Sequence, residues 1–444
     1  MSANVFDYVL IGSGPAAVSG LQIINRDRAV AVISGVNRIA VPRESVHPKV
    51  QAVSVESREE PGVCVAYTRS ESPGKPLFSS AIAGGLANYW GQQFVRYEEH
   101  DEWPRYVFEN FEAYEKECAS IERAFVRSGG DEIRRFEEAG DQYSIRAPQL
   151  LTGCTSHPRS GLMAMRHSLR DEINRTGARL FDDRARSVTR KQGVWEILLE
   201  SGQSITGKKV ILAAGVIGTS ELIANSFPDV AEIEFSDHSP WMLYTIGLGK
   251  LYRQRPATLR NHFNALTLEK TSNAATQMFA SLYDMRQADL NLLLASTLGR
   301  TVSLLRGMRA PIGSQLLKPV QIWTPTSFDT IVVDLKKRES RSVSSTPREA
   351  GKDDVLAQTV SVLTTLGAKC LKASPTSPGY GFHYHNLQIK AGGGKRDNVA
   401  EFLENRCGDS IKCIDASVLR HIGLRPHTLT SMAAARALTR TIVN

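Results

Sequence analysis

A glycine-rich segment near the N-terminus of this chain has the residue types and spacing that bind a dinucleotide. Residues 5–11 form an apolar run rich in β-branched and aromatic residues, and residues 12–17 (GSGPAA) follow it directly. Gly12 permits a tight turn, Gly14 lets the backbone approach a pyrophosphate, and the small Ala17 allows a helix to pack on the strand. The pattern predicts a strand, a turn and a helix whose N-terminal N–H groups face the phosphates.

The elements around this turn fit one β–α–β unit. Residues 18–25 have a helical pattern, and residues 29–33 indicate a second strand at the expected distance. An acidic residue usually stands at the end of such a strand and binds the ribose hydroxyls, whereas this chain has Ser34 and Gly35 there. We therefore expect ribose recognition to be weaker or to come from elsewhere.

Three further segments rich in small residues indicate the type of dinucleotide. They are residues 83–91 (AGGLANYWG), residues 209–223 (KVILAAGVIGTSELI) and residues 413–418 (CIDASV), the last followed by residues 425–432 (RPHTLTSM) and an alanine-rich helix. The second segment predicts a buried strand that ends in a small-residue turn before a helix. Because these segments are far apart in sequence, a site that uses them all must be assembled from distant parts of the chain.

In this order the segments resemble the glucose–methanol–choline family of FAD-dependent alcohol oxidoreductases, from residue 5 to about residue 440, although residues 236–380 carry no matching motif. The resemblance implies that residues 84–91 cover the flavin and that Asp415 lies beside the pyrophosphate and flavin. Tyr89 occupies the position where some members attach FAD through a histidine, which implies non-covalent FAD. The cofactor-binding residues expected from the turn and the resemblance are Gly12, Gly14, Pro15, Ala16, Ser34, Gly84, Gly85, Asn88, Tyr89, Trp90, Ala214, Gly215, Asp415, Ala416 and Thr428.

The resemblance also implies two proton-handling residues, a histidine after a tyrosine and a histidine or asparagine some 40 residues later. Residues 382–386 (FHYHN) offer His383 and His385 for the first, and His427 fits the second. His385 is favoured because it alone follows a tyrosine. The residues after it depart from the family pattern, so His383 remains an alternative.

Alcohol oxidation by a flavin removes a proton from oxygen and transfers a hydride from carbon to flavin N5. An imidazole suits the role of base because its ordinary pKa, near 6.5, leaves it substantially neutral at pH 7. We expect His385 to accept the hydroxyl proton and His427 to orient or polarise the same oxygen. The turn at residues 427–430 would place a helix N-terminus where it stabilises the reduced flavin.

These motifs predict an α/β chain, α+β overall, with a Rossmann-like FAD-binding domain assembled from residues 1–110, 150–235 and 385–444. Residues 236–384 would form a substrate-binding domain on an antiparallel sheet, with a helical connection at residues 111–149. Within the second domain we expect strands in residues 241–251, 262–268, 277–283 and 320–335, a helix in residues 353–366 and an exposed loop at residues 336–352.

The bulk composition excludes several classes of protein. With 444 residues, of which 42% are hydrophobic and 23% charged, the chain is neither a disordered protein nor a small domain that needs staples. Its six cysteines form no C-x-x-C pair, so no metal site is expected. A start without a signal-peptide pattern, and no apolar run approaching about 18 residues, predict a cytoplasmic protein without a membrane span.

The net charge of +8 is concentrated in the predicted substrate domain. Residues 236–384 hold 18 Lys and Arg against 10 Asp and Glu, a difference of +8, so the remaining residues are neutral in sum. A basic solvated surface explains this partition, and so does an anionic substrate or electron acceptor steered to the flavin. No nucleic-acid motif accompanies the charge, so we expect no nucleic-acid partner.

The leading functional prediction is oxidation of a CH–OH group of a sugar or another small hydroxylated molecule, with O₂ or another acceptor reoxidising the flavin. Two alternatives stay open: lyase-type chemistry on a retained flavin, and a non-enzymatic protein that binds FAD.

Overall fold

The computed structural model describes residues 5–35, 63–66, 77–80, 83–88, 93–126, 130, 132–138, 140–151, 164–248, 251, 264–272, 275–284, 317–325, 328–335, 339–343, 353–371, 373–375 and 383–444. The helices of these residues are α1 (Pro15–Leu21), α2 (Phe111–Phe125), α3 (Ala164–Thr176), α4 (Gly215–Ser226), α5 (Asp354–Thr365), α6 (Val399–Cys407) and α7 (Thr428–Val443).

The strands of the first half are β1 (Phe6–Ile11), β2 (Val30–Ile33), β3 (Val63–Ala66), β4 (Leu77–Ser80), β5 (Gln93–Phe94), β6 (Glu132–Glu138), β7 (Asp141–Arg146), β8 (Gln149–Leu150), β9 (Arg179–Phe181), β10 (Ala185–Lys191), β11 (Val194–Leu199) and β12 (Ser204–Leu212). Those of the second half are β13 (Val230–His238), β14 (Trp241–Ile246), β15 (Asn264–Ser272), β16 (Ala275–Asp284), β17 (Leu317–Trp323), β18 (Phe328–Asp334), β19 (Glu339–Val343), β20 (Lys369–Cys370), β21 (Ser374–Pro375), β22 (His385–Ala391), β23 (Arg396–Asn398) and β24 (Ile411–Cys413).

One sheet gathers the predicted nucleotide motifs at a single edge. Its order is β10-β11-β12-β1-β2-β9, and β24 also pairs with β12. The pairs β1–β12, β1–β2, β2–β9 and β12–β24 are parallel. Since the carboxyl ends of parallel strands lie at one edge, the segments after β1, β2, β9, β12 and β24 meet there.

Two antiparallel sheets make up most of the remaining strand structure. A five-stranded sheet has the order β19-β18-β13-β22-β23, and an eight-stranded sheet has the order β20-β14-β17-β16-β15-β7-β6 with β21 beside β14. Their cores are built from alternating buried residues such as Ile233 and Phe235 in the first and Leu266 and Leu268 in the second.

Helix α7 packs closely against α1 because small residues face the contact. A Cβ on Gly20 would lie 2.8 Å from Ile414 Cδ1 and 3.1 Å from Thr439 Oγ1. Ala434 and Ala435 of α7 are fully buried. A larger side chain at Gly20 would force the helices apart. Glycine at this position therefore allows the C-terminal helix to lie close to the helix that follows the glycine-rich turn.

The strands predicted at residues 5–11 and 29–33, the helix predicted in residues 353–366 and the mixed α/β class are confirmed. Within the described residues, the strands expected in residues 241–251, 262–268 and 277–283 are β14, β15 and β16, and the run at residues 320–335 contains two strands, β17 and β18. The helix expected at residues 18–25 lies earlier in the chain, at Pro15–Leu21. Two segments differ in detail from the sequence expectation. Residues 336–352, expected as a loop, include β19, which pairs with β18 along the edge of the five-stranded sheet. Residues 111–149, expected as a helical connection, contain α2 and then the hairpin β6–β7. Strand β7 of this hairpin pairs with β15 and so adds the hairpin to the eight-stranded sheet.

Candidate functional site

The glycine-rich turn lies directly on β12, which leaves no room for a side chain at its first glycine. Gly12 has φ +131°, and a Cβ there would lie 2.1 Å from the carbonyl oxygen of Ala213. The backbone N–H of Gly12 donates to Ile33 O at 2.9 Å, and Ala213 N donates to Ile11 O at 2.8 Å. The turn is therefore fixed between the ends of β1, β2 and β12, and α1 follows with Pro15 in its first turn and Ala16 buried.

Ser13 joins three of the predicted motifs through one hydroxyl. Its Oγ donates to Ser34 O at 2.7 Å, and it accepts from the backbone N–H of Gly84 at 3.1 Å. Gly84 and Gly85 lie over the turn, with an ideal Cβ on Gly85 coming within 3.8 Å of Gly14 Cα. The glycine loop of residues 83–88 is thus attached to the turn, as its proposed place above a nucleotide requires.

The end of β2 lacks the usual acidic residue, but it lies beside an acidic residue that follows the neighbouring strand β9. Ser34 is 2% exposed, and its hydroxyl donates to Asp182 Oδ1 at 3.2 Å. Asp182 directly follows β9, which pairs in parallel with β2 through Ile33 and Phe181. Sequence reasoning missed this carboxylate because residues 34 and 182 are brought together only by strand pairing.

Asp415 connects the D-A-S turn to the start of α4. Its Oδ2 accepts from Gly215 N at 2.9 Å and from Thr219 Oγ1 at 2.7 Å, and its Oδ1 accepts from Ser417 N at 2.9 Å. Asp415 is 3% exposed, so these bonds satisfy a carboxylate that water hardly reaches. The segment after β12 and the segment after β24 are therefore held together at the same edge of the sheet, together with Ala214 and Ala416.

A cluster of histidines forms where the five-stranded sheet meets the start of α7. The rings of His383 and His427 are 5.2 Å apart between centroids and inclined by 77°. Trp323 stacks on His383 at 5.4 Å, and His238 lies 6.0 Å from the same ring. His385 is the first residue of β22, and the centroid of its ring lies 6.2 Å from that of Phe328. The structure thus brings His383, His385 and His427 together, although His427 lies more than 40 residues further along the chain.

An irregular strand start places His385. Between the pairs Glu234–Gln388 and Ser236–His385, two residues of β22 oppose one residue of β13, which is a β-bulge. Asn386, next to His385, has φ +54°, a left-handed conformation uncommon for residues other than glycine. Asp237 accepts from His383 N at 3.0 Å and fixes the segment just before the bulge.

The hydrogen bond of His385 determines which ring nitrogen carries the proton. Its Nδ1 lies 2.9 Å from the carbonyl oxygen of His383, and because a carbonyl can only accept, Nδ1–H donates. The Nε2 atom of the neutral ring is then a lone-pair acceptor. Burial lowers the pKa of His385 from 6.5 to about 4, so the ring is neutral at pH 7.

His427 is also held in its neutral form. It precedes α7 as its N-cap residue, next to Thr428, and is 9% exposed. Burial lowers the pKa of His427 well below 6.5, and the neighbouring His383 and His385 lower it further. Two buried imidazoles, those of His385 and His427, are therefore close enough to influence each other, and both are neutral at pH 7.

Arg425, two residues before His427, is a second finding that the sequence motifs did not reveal. It is 3% exposed and donates to Asp101 at 2.8 Å, Glu98 at 2.9 Å and Glu269 at 2.7 Å. Burial alone would lower the pKa of Arg425, but the attraction of Glu269, Asp101 and Glu98 raises it above its ordinary value. The guanidinium therefore ties the approach to α7 to β15 and to the segment after β5.

A cavity of about 300 Å³ adjoins this network, with Arg96, Tyr97, Gln149, Glu269 and Arg425 in its wall. None of the clustered histidines lines it. Its walls belong to the network around Arg425 rather than to the histidine cluster.

Several residues predicted to bind the cofactor or the substrate are not among those that the structure describes. Tyr89 and Trp90 are outside the described residues, as are most of the basic residues of 236–384, and for Asn88 only the backbone is described. In the described part of the chain no cluster of three or more metal-ligating side chains occurs. No helix there is long and apolar enough to cross a membrane.

The residues at the converging motifs fit a flavin dinucleotide. An ideal Cβ meets no atom within 4 Å at Gly215 and none closer than 3.8 Å at Gly14, which leaves the backbone open to a close ligand. At the start of α7, His427 Nδ1 and Ser431 Oγ are buried and have no hydrogen-bond partner among the described residues. Buried polar atoms without partners are costly unless a ligand or water pairs with them, so they suit a ligand with polar ring atoms.

Comparison with known proteins adds a fold relationship. No protein-family model and no curated protein matches the chain. Among solved structures, the crystal structure of pyridoxine 4-oxidase from Mesorbium loti is similar with a TM-score of 0.56 and 11% sequence identity, and the match covers 99% of each chain. This chain shares the fold of that oxidase over almost its entire length.

Proposed function

We propose that this protein is an FAD-dependent oxidoreductase that oxidises a CH–OH group of a small hydroxylated molecule, with His385 as general base. The observation that carries the proposal is the cluster in which His385 and His427 are both kept neutral, with the Nε2 lone pair of His385 defined by the bond to His383 O. The assembled glycine motifs and the fold shared with an oxidase support it.

In this proposal the residues of the nucleotide edge bind non-covalent FAD. The turn at Gly12 and Gly14 binds the pyrophosphate, Gly84 and Gly85 cover the cofactor, and the N-terminus of α4 at Gly215 contributes further N–H groups. Asp415 holds the last two segments in register. The bound flavin supplies a two-electron acceptor for hydride.

The histidines handle the proton of the substrate hydroxyl. His385 Nε2 accepts it, which leaves the C–H bond to give up its hydride, and Nδ1–H keeps the ring oriented by donating to His383 O. His427 orients the same oxygen from the start of α7. Since burial disfavours an imidazolium at either position, the proton must then leave the site through the substrate region or through water.

The substrate class extends from sugars to other primary and secondary alcohols. The similar structure is named for the oxidation of pyridoxine, so pyridoxine joins sugars among the first compounds to test. In the proposed division, residues 1–110, 150–235 and 385–444 bind FAD, and residues 236–384 select the substrate.

The visible spectrum of the purified protein, before and after addition of FAD, tests the proposal. We expect flavin bands that remain with the protein after gel filtration and are released by denaturation, because no covalent link is proposed. A protein that gains no flavin bands with excess FAD would overturn the oxidoreductase proposal, and with it the alternatives of a lyase or a non-enzymatic protein that binds FAD.

A further inference from the structure

Resting on the proposed function, we propose that Asp182 supplies the carboxylate that binds the ribose hydroxyls of the adenosine half of FAD. The usual position for this acid, at the end of the second strand, is taken by Ser34. In this proposal the acid follows the neighbouring strand β9 instead of β2, and it acts at the same end of the sheet.

The strand register places Asp182 at the required position. Ile33 of β2 pairs with Phe181 of β9 in parallel, so the residues that follow them, Ser34 and Asp182, leave the sheet side by side. The Ser34 hydroxyl lies 3.2 Å from Asp182 Oδ1. The carboxylate of Asp182 is therefore a direct neighbour of the position where the acid usually stands.

Ser34 is also connected to the glycine-rich turn, which fixes Asp182 relative to the pyrophosphate site. Ser34 O accepts from Ser13 Oγ at 2.7 Å, and Ser13 stands between the two glycines of the turn. Two hydrogen bonds therefore connect the turn to the carboxylate, one from Ser13 to Ser34 and one from Ser34 to Asp182. Ser13 and Ser34 are 5% exposed or less. A nucleotide whose pyrophosphate lies at the turn would have its ribose beyond the end of β2, within reach of this carboxylate.

The neighbouring Asp183 is occupied elsewhere. Its Oδ1 accepts from Arg184 N at 2.7 Å and its Oδ2 accepts from Ser201 N at 3.2 Å, so both oxygens fix the start of β10. Asp182 uses only Oδ1, and in the described part of the chain its Oδ2 has no hydrogen-bond partner. Its side chain is exposed at the sheet edge, as a residue that meets a ribose must be.

The chemistry suits a diol. An ionised carboxylate has about four lone-pair sites, two at each oxygen. Oδ1 of Asp182 can therefore accept from one ribose hydroxyl as well as from Ser34, and Oδ2 can accept from the adjacent ribose hydroxyl. Hydrogen bonds to a charged acceptor are stronger than neutral ones, so loss of the charge should weaken binding about 10- to 100-fold.

The test measures FAD binding rather than turnover. Apoprotein of the wild type, of Asp182→Asn and of the matched control Asp409→Asn is titrated with FAD and followed by flavin fluorescence. Asp409 is suitable because its side chain is 84% exposed and pairs with Lys412 at the surface. We expect Asp182→Asn to raise the Kd for FAD about 10- to 100-fold and Asp409→Asn to leave it within about twofold.

A second measurement separates ribose recognition from a general structural effect. ADP and 2′,3′-dideoxy-ADP are used to displace FAD from each protein. The wild type should prefer ADP, and Asp182→Asn should lose most of that preference, since the discriminated hydroxyls no longer meet a carboxylate. Unchanged FAD affinity in Asp182→Asn, or an unchanged preference for ADP, would overturn the inference and leave the proposed function standing. A wild type that binds no FAD would overturn both.

Discussion

The imidazole of His427 lies 5.2 Å from that of His383, with the ring planes inclined by 77°. This relationship joins the turn before α7 to the start of β22, two segments that pack together only in the folded chain. His385, one residue beyond Tyr384, hydrogen-bonds the backbone of His383 rather than its ring. The two candidate bases therefore have different contacts, and substitution can separate their effects.

His385→Ala should lower kcat/KM for the alcohol substrate about 10²- to 10⁴-fold, because the neutral Nε2 acceptor is lost. His383→Ala should cost less, since the carbonyl that orients His385 belongs to the backbone and survives the change. Steady-state kinetics on FAD-loaded protein measures both.

The exposed His421 provides the control for these variants. His421→Ala should keep activity within about threefold of the wild type, because it removes a ring outside the cluster without emptying a buried position. A larger loss in His383→Ala than in His385→Ala would move the role of base to His383.

Stability should decrease as the pH falls from about 6.5 to about 4. Burial lowers the pKa of His385 to about 4, so within this range the unfolded chain binds a proton that the native site does not accept. Above pH 6.5 the ring is neutral in both states and contributes no pH dependence. The full shift corresponds to about 3 kcal/mol at the acid end of the range.

Urea unfolding at pH 7.5, 6 and 5 checks this dependence. His385→Gln, which does not titrate, should remove the part of the decrease that comes from His385 and leave the part that comes from His427. His421→Gln should leave most of the decrease, because burial is the larger cause of the lowered pKa of His385 and the charge of His421 is a smaller one. Equal slopes for His385→Gln and the wild type would mean that His385 takes up its proton normally in the native state.

Arg425→Met should lower the free energy of unfolding by about 3–5 kcal/mol, because Asp101 and Glu269 would remain buried without their shared cation. Both carboxylate side chains are only 4% exposed. Thermal and urea unfolding measure the loss, and activity should fall with it since Arg425 leads into His427.

Arg420→Met is the matched control. Arg420 pairs with Glu401 at the surface, with side chains 47% and 52% exposed, so its removal should cost no more than about 1 kcal/mol. Similar losses in the two variants would show that burial of the Arg425 network contributes little.

Gly12→Ala should abolish FAD binding and destabilise the protein, since its Cβ would lie 2.1 Å from Ala213 O. Gly193→Ala separates the clash from the cost of positive φ. Gly193 has φ +85° but open space around its Cβ, so its substitution should cost only about 1–2 kcal/mol and leave FAD binding intact. Flavin fluorescence titration and thermal unfolding compare the pair, and FAD binding by Gly12→Ala would contradict the close packing of the turn.

The sequence predicted best the features carried by neighbouring residues. The run of residues 5–11, the glycines after it and the strand at residues 29–33 fall on β1, the turn and β2, because apolar pattern and turn chemistry are local. The place of Asp182 beside Ser34 depends on the pairing of β2 with β9, which no local pattern records.

The candidate site shows the same limit. Arg425 resembles any surface arginine in the sequence, and its role emerges only when Asp101 and Glu269 are brought to it from elements more than 150 residues away. The sequence favours His385 over His383 only because His385 follows Tyr384, and no local pattern records the contact between His385 Nδ1 and the carbonyl oxygen of His383.

Anaerobic reduction of the bound flavin shows directly whether this protein takes hydride from an alcohol and whether His385 assists. FAD-loaded protein is mixed without oxygen with pyridoxine, with sugars and with simple primary and secondary alcohols, and the flavin absorbance is followed. We expect at least one alcohol to bleach the flavin band, and His385→Ala to slow this bleaching about 10²-fold or more. A flavin that stays oxidised with every alcohol, or bleaches equally fast in His385→Ala, would contradict it.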